Sequence, residues 1–103
     1  MAIAYIQEFA IRDGDTSTAN YDAVVAALNL QDAPDGLIVH TAGYDLDSGV
    51  FRIFDVWESR GHGQRFMDER LNPVIESMMA ASPGDFAPPT REAWYELHDV
   101  LPG

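Results

Sequence analysis

His40, Tyr44, Asp55 and Trp57 carry the side chains best suited to chemistry in this chain. They lie close together in the segment GLIVHTAGYDLDSGVFRIFDVWES, from Gly36 to Ser59. A carboxylate that accepts from one imidazole nitrogen orients the ring and raises its basicity. The other nitrogen can then act as a general base on an acidic C–H or a phenol. Tyrosine and tryptophan each add a flat apolar surface with one polar tip, the combination that holds an aromatic ligand. The plain alternatives are a cross-strand His–Asp pair that only satisfies itself and a tryptophan that packs a core or an interface.

Such a site requires His40 and Asp55 to meet. Two runs rich in β-formers flank the polar turn Asp45–Leu46–Asp47–Ser48–Gly49, which predicts a β-hairpin. If Asp45 pairs with Val50, then Tyr44 faces Phe51, Ala42 faces Ile53, His40 faces Asp55 and Ile38 faces Trp57. Alternation then puts His40, Ala42, Tyr44, Phe51, Ile53, Asp55 and Trp57 on one side. Val39, Thr41, Gly43, Arg52, Phe54 and Val56 take the other. A slip of one residue would carry His40 away from Asp55.

The remaining elements must hold this hairpin. Residues 2–11, AIAYIQEFAI, read as a strand with few polar breaks, buried on both faces. Thr16, Ser17 and Thr18 are candidate caps of a first helix, in which Tyr21, Val24, Val25 and Leu28 form one stripe. Residues 31–36 form a loop containing Pro34 and Gly36. Ser59 is the expected N-cap of a second helix with Phe66, Met67, Leu71, Val74, Ile75, Met78 and Met79 in helical period. Pro73 predicts a kink or break near Asn72, and Gly61 and Gly63 weaken the first turn. Residues 82–89, SPGDFAPP, read as a loop. Residues 91–101 read as a last strand with Trp94, Glu96 and His98 on one side. The order βαββαβ predicts an α+β, ferredoxin-like fold: a four-stranded antiparallel sheet with helices on one face. The second face then needs a cover, and a face-to-face homodimer would supply it.

Bulk properties narrow the partners. The chain has 103 residues, enough for one domain, with 47% hydrophobic and 22% charged residues, which indicates a globular protein. Seventeen acids against six bases give a net charge of −11, which repels nucleic acid and anionic membrane surfaces. No apolar run is long enough to span a bilayer, and no signal-peptide pattern is seen. With no cysteine, disulfides and thiolate metal sites are excluded, and a cytoplasmic location is expected. His40, His62 and His98 match no zinc spacing, so no metal is expected. His62 reads as a surface residue in the first helical turn.

The pieces GLIVHTAGYD, FRIFDVWES, RFMDERLNPVIE and WYELHDVL resemble the dimeric α+β barrel superfamily. Within it they are most similar to small actinobacterial proteins related to the antibiotic-biosynthesis-monooxygenase-like group. The resemblance covers most of residues 2–101 and implies a homodimer binding a hydrophobic small molecule. That superfamily includes cofactor-free monooxygenases, haem-degrading enzymes, isomerases and polyketide cyclases, so fold alone does not select an activity. The haem-degrading pattern fails here. His62 is near the helix start, Phe66 and Met67 occupy the helix interior, and strand 1 offers Gln7 and Glu8 instead of asparagine. Cofactor-free quinone oxidation uses tyrosine, tryptophan and arginine around a polycyclic phenol. Tyr44, Trp57 and Arg52 have those types, with Arg52 on the opposite strand face.

Two functions follow as expectations. One is a cofactor-independent monooxygenase, cyclase or isomerase acting on a hydrophobic aromatic or polyketide-like molecule, with no cofactor. In it His40 is the base, Asp55 orients it, and Tyr44, Trp57, Tyr5 and Phe51 form the substrate wall. His98 completes the cavity, in the partner subunit if the last strand reaches across. The other is a non-catalytic small-molecule binder or structural homodimer using the same surface.

Overall fold

The strand expected at the N-terminus forms as β1, Ile3–Ala10, and lies inside the sheet with an antiparallel neighbour on each side. The computed structural model describes residues 2–82, 84 and 86–101. In chain order β1 is followed by α1 (Ala19–Leu28), β2 (Leu37–Asp45) and β3 (Val50–Trp57). Then come α2 (Arg60–Phe66), a π-helical turn (Met67–Leu71), α3 (Asn72–Ala81) and β4 (Arg91–Glu96). The sheet order is β2-β3-β1-β4. This is the antiparallel, ferredoxin-like α+β arrangement that the element order predicts. Of the loop expected over 82–89, Pro83 and Asp85 lie outside the described residues. Among the described residues no helix is long and apolar enough to cross a membrane.

The hairpin register agrees with expectation from the turn outward: Asp45 pairs with Val50, Tyr44 with Phe51, Ala42 with Ile53 and His40 with Asp55. Its turn is tied by the Asp45 carboxylate, which accepts from the Ser48 backbone N–H at 3.1 Å, and by Gly49 at φ +69°. The far end differs. A bulge between Leu37 and Val39 places Leu37, not Ile38, opposite Trp57. One extra residue in β2 is absorbed there, so Ile38 drops out of the ladder. Without the bulge Leu37 would turn away from the helices.

The helices occupy the face that bears His40, Asp55 and Trp57. Tyr21 of α1 packs on Phe51, and Phe66 of α2 packs on Trp57. Ser59 caps α2 by accepting from the His62 N–H. Thr18 stands at the N-cap of α1 but makes no side-chain bond to the helix backbone; its hydroxyl goes to Asp22 at 2.8 Å. Pro73 has no N–H to give to the preceding turn. The break it imposes takes the form of the π turn, in which the Asn72 N–H reaches the Met67 carbonyl five residues back. In α1 the expected stripe is only partly inward, since Val25 is exposed. β4 ends at Glu96, five residues short of the expected strand end, so His98 falls beyond it.

Burial is concentrated where β1 and β3 cross the sheet. Ala4 and Val56 are buried on one face, Tyr5 and Trp57 on the other. Gly63 is what lets α2 come this close. A Cβ there would lie 3.0 Å from Trp94 Cη2 and 3.1 Å from Trp57 Cδ1 and Cγ. The glycine read from sequence as a weak first turn is therefore a packing residue. Replacing it with leucine should lower stability by about 1–3 kcal/mol through overpacking, read as a reduced urea midpoint with unchanged m. An unshifted midpoint would mean that α2 does not need the close approach.

Candidate functional site

Sheet register builds the site as a row across all four strands. His40 pairs with Asp55, Asp55 with Tyr5, and Tyr5 with Trp94. Period-two alternation points these four side chains toward the helices. Toward the turn the next row on this face is Ala42, Ile53, Gln7 and Glu92, followed by Tyr44, Phe51 and Phe9; on the other side stand Leu37, Trp57 and Ile3.

His40 is the focus of the row. Its Nδ1 lies 2.5 Å from Asp55 Oδ1, and its Nε2 lies 2.6 Å from the Tyr21 hydroxyl. The imidazole side chain is 40% exposed and the Asp55 side chain 14%. The carboxylate therefore sits beneath a ring that solvent can reach. Its hydrogen bond to Asp55 holds the His40 pKa above the ordinary histidine value; burial opposes this and the Asp55 charge reinforces it. Tyr21 is pushed upward by burial first, then by the Asp55 and Asp22 carboxylates. Its ring stands parallel to the imidazole, 3° between planes, and edge-on to Phe51.

The other expected site residues divide by position. Tyr5 is buried and stacked on Trp94 at 4.2 Å, and its hydroxyl donates to Glu92 at 2.5 Å. Burial and Glu92 push the Tyr5 phenol strongly upward. The Gln7 amide also reaches Glu92, at 3.2 Å. Arg60 lies over the Trp94 ring. Trp57 is 2% exposed, and its buried Nε1 has no hydrogen-bond partner among the described residues. Phe51 lies between Tyr21 and Tyr44.

Tyr44 shares this face, yet its hydroxyl donates to the Thr16 carbonyl at 2.6 Å, with the Ser17 carbonyl 3.1 Å away. It therefore clasps the segment that leads into α1. His98 is exposed beyond β4 and shares no hydrogen bond or ring contact with the group among the described residues. Arg52 is on the opposite face, as alternation requires, held by Glu8 at 2.6 Å and Asp45 at 3.0 Å. Ser48, first through its backbone N–H, and Arg52 keep the Asp45 carboxyl below its usual range.

The reading from sequence missed Tyr21 as a site residue. It sits in a helical stripe whose other members, Val24, Val25 and Leu28, are aliphatic. The one polar tip in that stripe was the available sign. His62 is half-buried, not free on the surface. It shares a hydrogen bond with the Ser59 hydroxyl at 2.7 Å and lies against Gly36, whose left-handed φ of +83° and missing Cβ make room for the ring. His62 lines a cleft of about 170 Å³ with Pro34, Arg65 and Arg70. A second cleft of about 270 Å³ runs between α1 and α3 at Ala23 and Met78. Neither cleft is lined by His40 or Asp55. Among the described residues no three His, Asp or Glu side chains are placed to hold a metal ion.

The His40–Asp55 pair should show in a titration. Because folding raises the histidine pKa, its contribution to stability is complete below about pH 6.5, the unfolded value. It is lost as pH rises through the higher folded pKa. Asp55→Asn should lower the NMR titration midpoint of His40 and flatten this pH dependence of stability. An unchanged midpoint would mean that Asp55 does not charge-couple to the ring.

No family model and no curated protein matches the sequence. Solved structures do match in fold. A protein of unknown function from Nitrosomonas europaea aligns with TM-score 0.66 and 21% identity, over 99% of this chain and 95% of that one. A Deinococcus radiodurans protein, provisionally named an antibiotic biosynthesis monooxygenase, aligns with TM-score 0.64 and 18% identity, over 98% and 96%. SnoaB from Streptomyces nogalater, a cofactor-independent oxygenase, aligns with TM-score 0.60 and 16% identity, over 99% and 98%. The sheet order, the paired helical layer and these full-length superpositions give the chain the fold of the antibiotic-biosynthesis-monooxygenase-like proteins.

Proposed function

We propose that this chain is a homodimeric small-molecule-binding protein that removes a proton from a hydrophobic aromatic or polyketide-like substrate. It would act as a cofactor-independent monooxygenase, cyclase or isomerase. The observation that carries this reading is the His40 imidazole, backed by Asp55 at 2.5 Å and reached from solvent. A base so oriented takes a proton from an acidic C–H or a phenol, and the electron pair stays on the substrate as a carbanion or phenolate. That anion can reduce dioxygen, attack a carbonyl in the same molecule, or take a proton back at another carbon. The likeness in fold to SnoaB, a cofactor-independent oxygenase, supports the first outcome. The half-buried rings of Phe51 and Trp94 supply aromatic surface, backed by the buried Trp57 and Tyr5.

The second reading is a binder without turnover. The buried, unpartnered Trp57 indole N–H favours it, because a ligand carbonyl would satisfy that donor without any base.

The homodimer reading rests on the sheet face that the helices leave open. Val39, Val56, Ala4 and Tyr95 form one row there; Thr41, Phe54, Ile6 and Ala93 form the next. Ala4 and Val56 are already buried there, and two such faces stacked about 10 Å apart would cover the exposed Val39, Thr41 and Tyr95. In sedimentation the wild type should run as a dimer, and Val39→Glu should shift it toward monomer. A wild type that sediments as a monomer at tens of micromolar would remove the dimer.

The activity test uses 1,8-dihydroxyanthrone in air, followed by quinone absorbance. His40→Gln should lower kcat by about 10²–10⁴-fold, the usual contribution of a general base. The wild-type rate should rise as pH passes the His40 pKa, since only the neutral ring accepts a proton. Asp55→Asn should move that limb to lower pH. Saturable binding of the anthrone with no quinone formed would favour the binder.

A further inference from the structure

His40 has no free ring nitrogen. Nδ1 faces Asp55 Oδ1 at 2.5 Å and Nε2 faces Tyr21 Oη at 2.6 Å. A carboxylate accepts only, so Nδ1 carries the proton and Nε2 of the neutral ring is left as an acceptor. Tyr21 then donates its O–H to it. Hydroxyl, imidazole and carboxylate in this order form the arrangement that activates a weakly acidic O–H. From this geometry we propose that Tyr21 is the group that meets the substrate, a phenol activated by His40 and oriented through Asp55. The inference rests on reading the site as a proton-transfer centre and moves the point of contact from the imidazole to the phenol.

The surroundings fit that role. Tyr21 stands in the first turn of α1, a helix that buries none of its residues, so its hydroxyl lies at an open seam. The parallel imidazole and the edge of Phe51 fix its ring. A tyrosine phenol is neutral near pH 7 and burial and two carboxylates hold its proton more firmly, so it needs a base during the step. The other tyrosines differ. Tyr44 donates to a carbonyl, Tyr95 is exposed on the open sheet face, and Tyr5 donates to the Glu92 carboxylate but is buried out of a ligand's reach. In the substrate reaction the proton leaves the substrate C–H or O–H for the Tyr21 oxygen while the phenolic proton passes to His40 Nε2. The products are a substrate anion, neutral Tyr21 and an imidazolium beside Asp55.

An aryl sulfonyl fluoride tests this without a known substrate. The Tyr21 oxygen attacks sulfur, the S–F bond breaks, fluoride leaves and the phenolic proton goes to His40. Peptide mass spectrometry then reads the rate at each tyrosine. Tyr21 should be labelled at least about tenfold faster than Tyr95, although Tyr95 is 43% exposed. His40→Gln keeps an acceptor near the hydroxyl but no base, and should remove that advantage. Asp55→Asn should reduce it, while Tyr95 keeps its rate in both variants. Labelling of Tyr21 no faster than Tyr95, or unchanged in His40→Gln, would overturn the proposal. Anthrone turnover that survives Tyr21→Phe but falls with His40→Gln would overturn it too and leave the proposed function standing. Selective, His40-dependent labelling without turnover would uphold the activated phenol and remove the oxygenase reading.

Discussion

The register of the β2–β3 hairpin is the constraint on which the rest of the site depends. Side chains on a strand alternate, so a slip of one residue exchanges the two faces wholesale. His40 would then lie among the open-face rows, out of reach of Asp55 and Tyr21. The register is anchored at the turn. Asp45 accepts from Ser48, Gly49 takes the left-handed conformation, and Arg52 grips Asp45 from the facing strand. The other end is loose by comparison and absorbs its extra residue in the bulge at Ile38. His40 with Asp55 lies only one pair inside that bulge, and the five regular pairs between it and the turn hold its register.

The two sides of the helical layer are attached differently. On the α2 side the contact is apolar and close. Gly63 brings the helix onto Trp57 and Trp94, and Phe66 packs on Trp57. On the α1 side no residue is buried; beside the Tyr21 ring on Phe51 stand three polar links, Tyr21 to His40, Tyr44 to the Thr16 carbonyl, and Arg70 to the Leu28 carbonyl at 3.2 Å. An element held by few buried apolar contacts opens at low cost compared with the sheet. Tyr21 therefore stands on the more loosely attached element, and His40 and Asp55 stand on the sheet.

Charge is sorted in the same way. Arg52 and Arg91 lie on the open sheet face around Glu8, together with Asp45. The helix-covered face has Asp55 and Glu92 instead, each spent on a ring partner, His40 and Tyr5. Arg60 stacks on Trp94 and does not pair with either acid at salt-bridge distance. A neutral, flat molecule suits such a wall better than a carboxylate or phosphate would.

Much of this protein was determined by its sequence, because the relevant physics is local. Alternation, turn chemistry and helical period define six of the main elements, and the polar turn sets the pairing that joins His40 to Asp55. The missing N–H of Pro73 requires a break in the second helix, although not that it would be a π turn. What the tertiary structure alone decided depends on contacts between distant segments. Which hairpin face the helices cover is a matter of packing, and so is the role of Gly63, whose absent side chain has meaning only beside Trp57 and Trp94. Tyr21 reads as one more apolar position until the fold brings its hydroxyl to His40, nineteen residues along the chain. Tyr44 and His98 show the reverse dependence. Their types suit a cavity wall, but a loop carbonyl claims one, and the early end of β4 leaves the other outside the sheet.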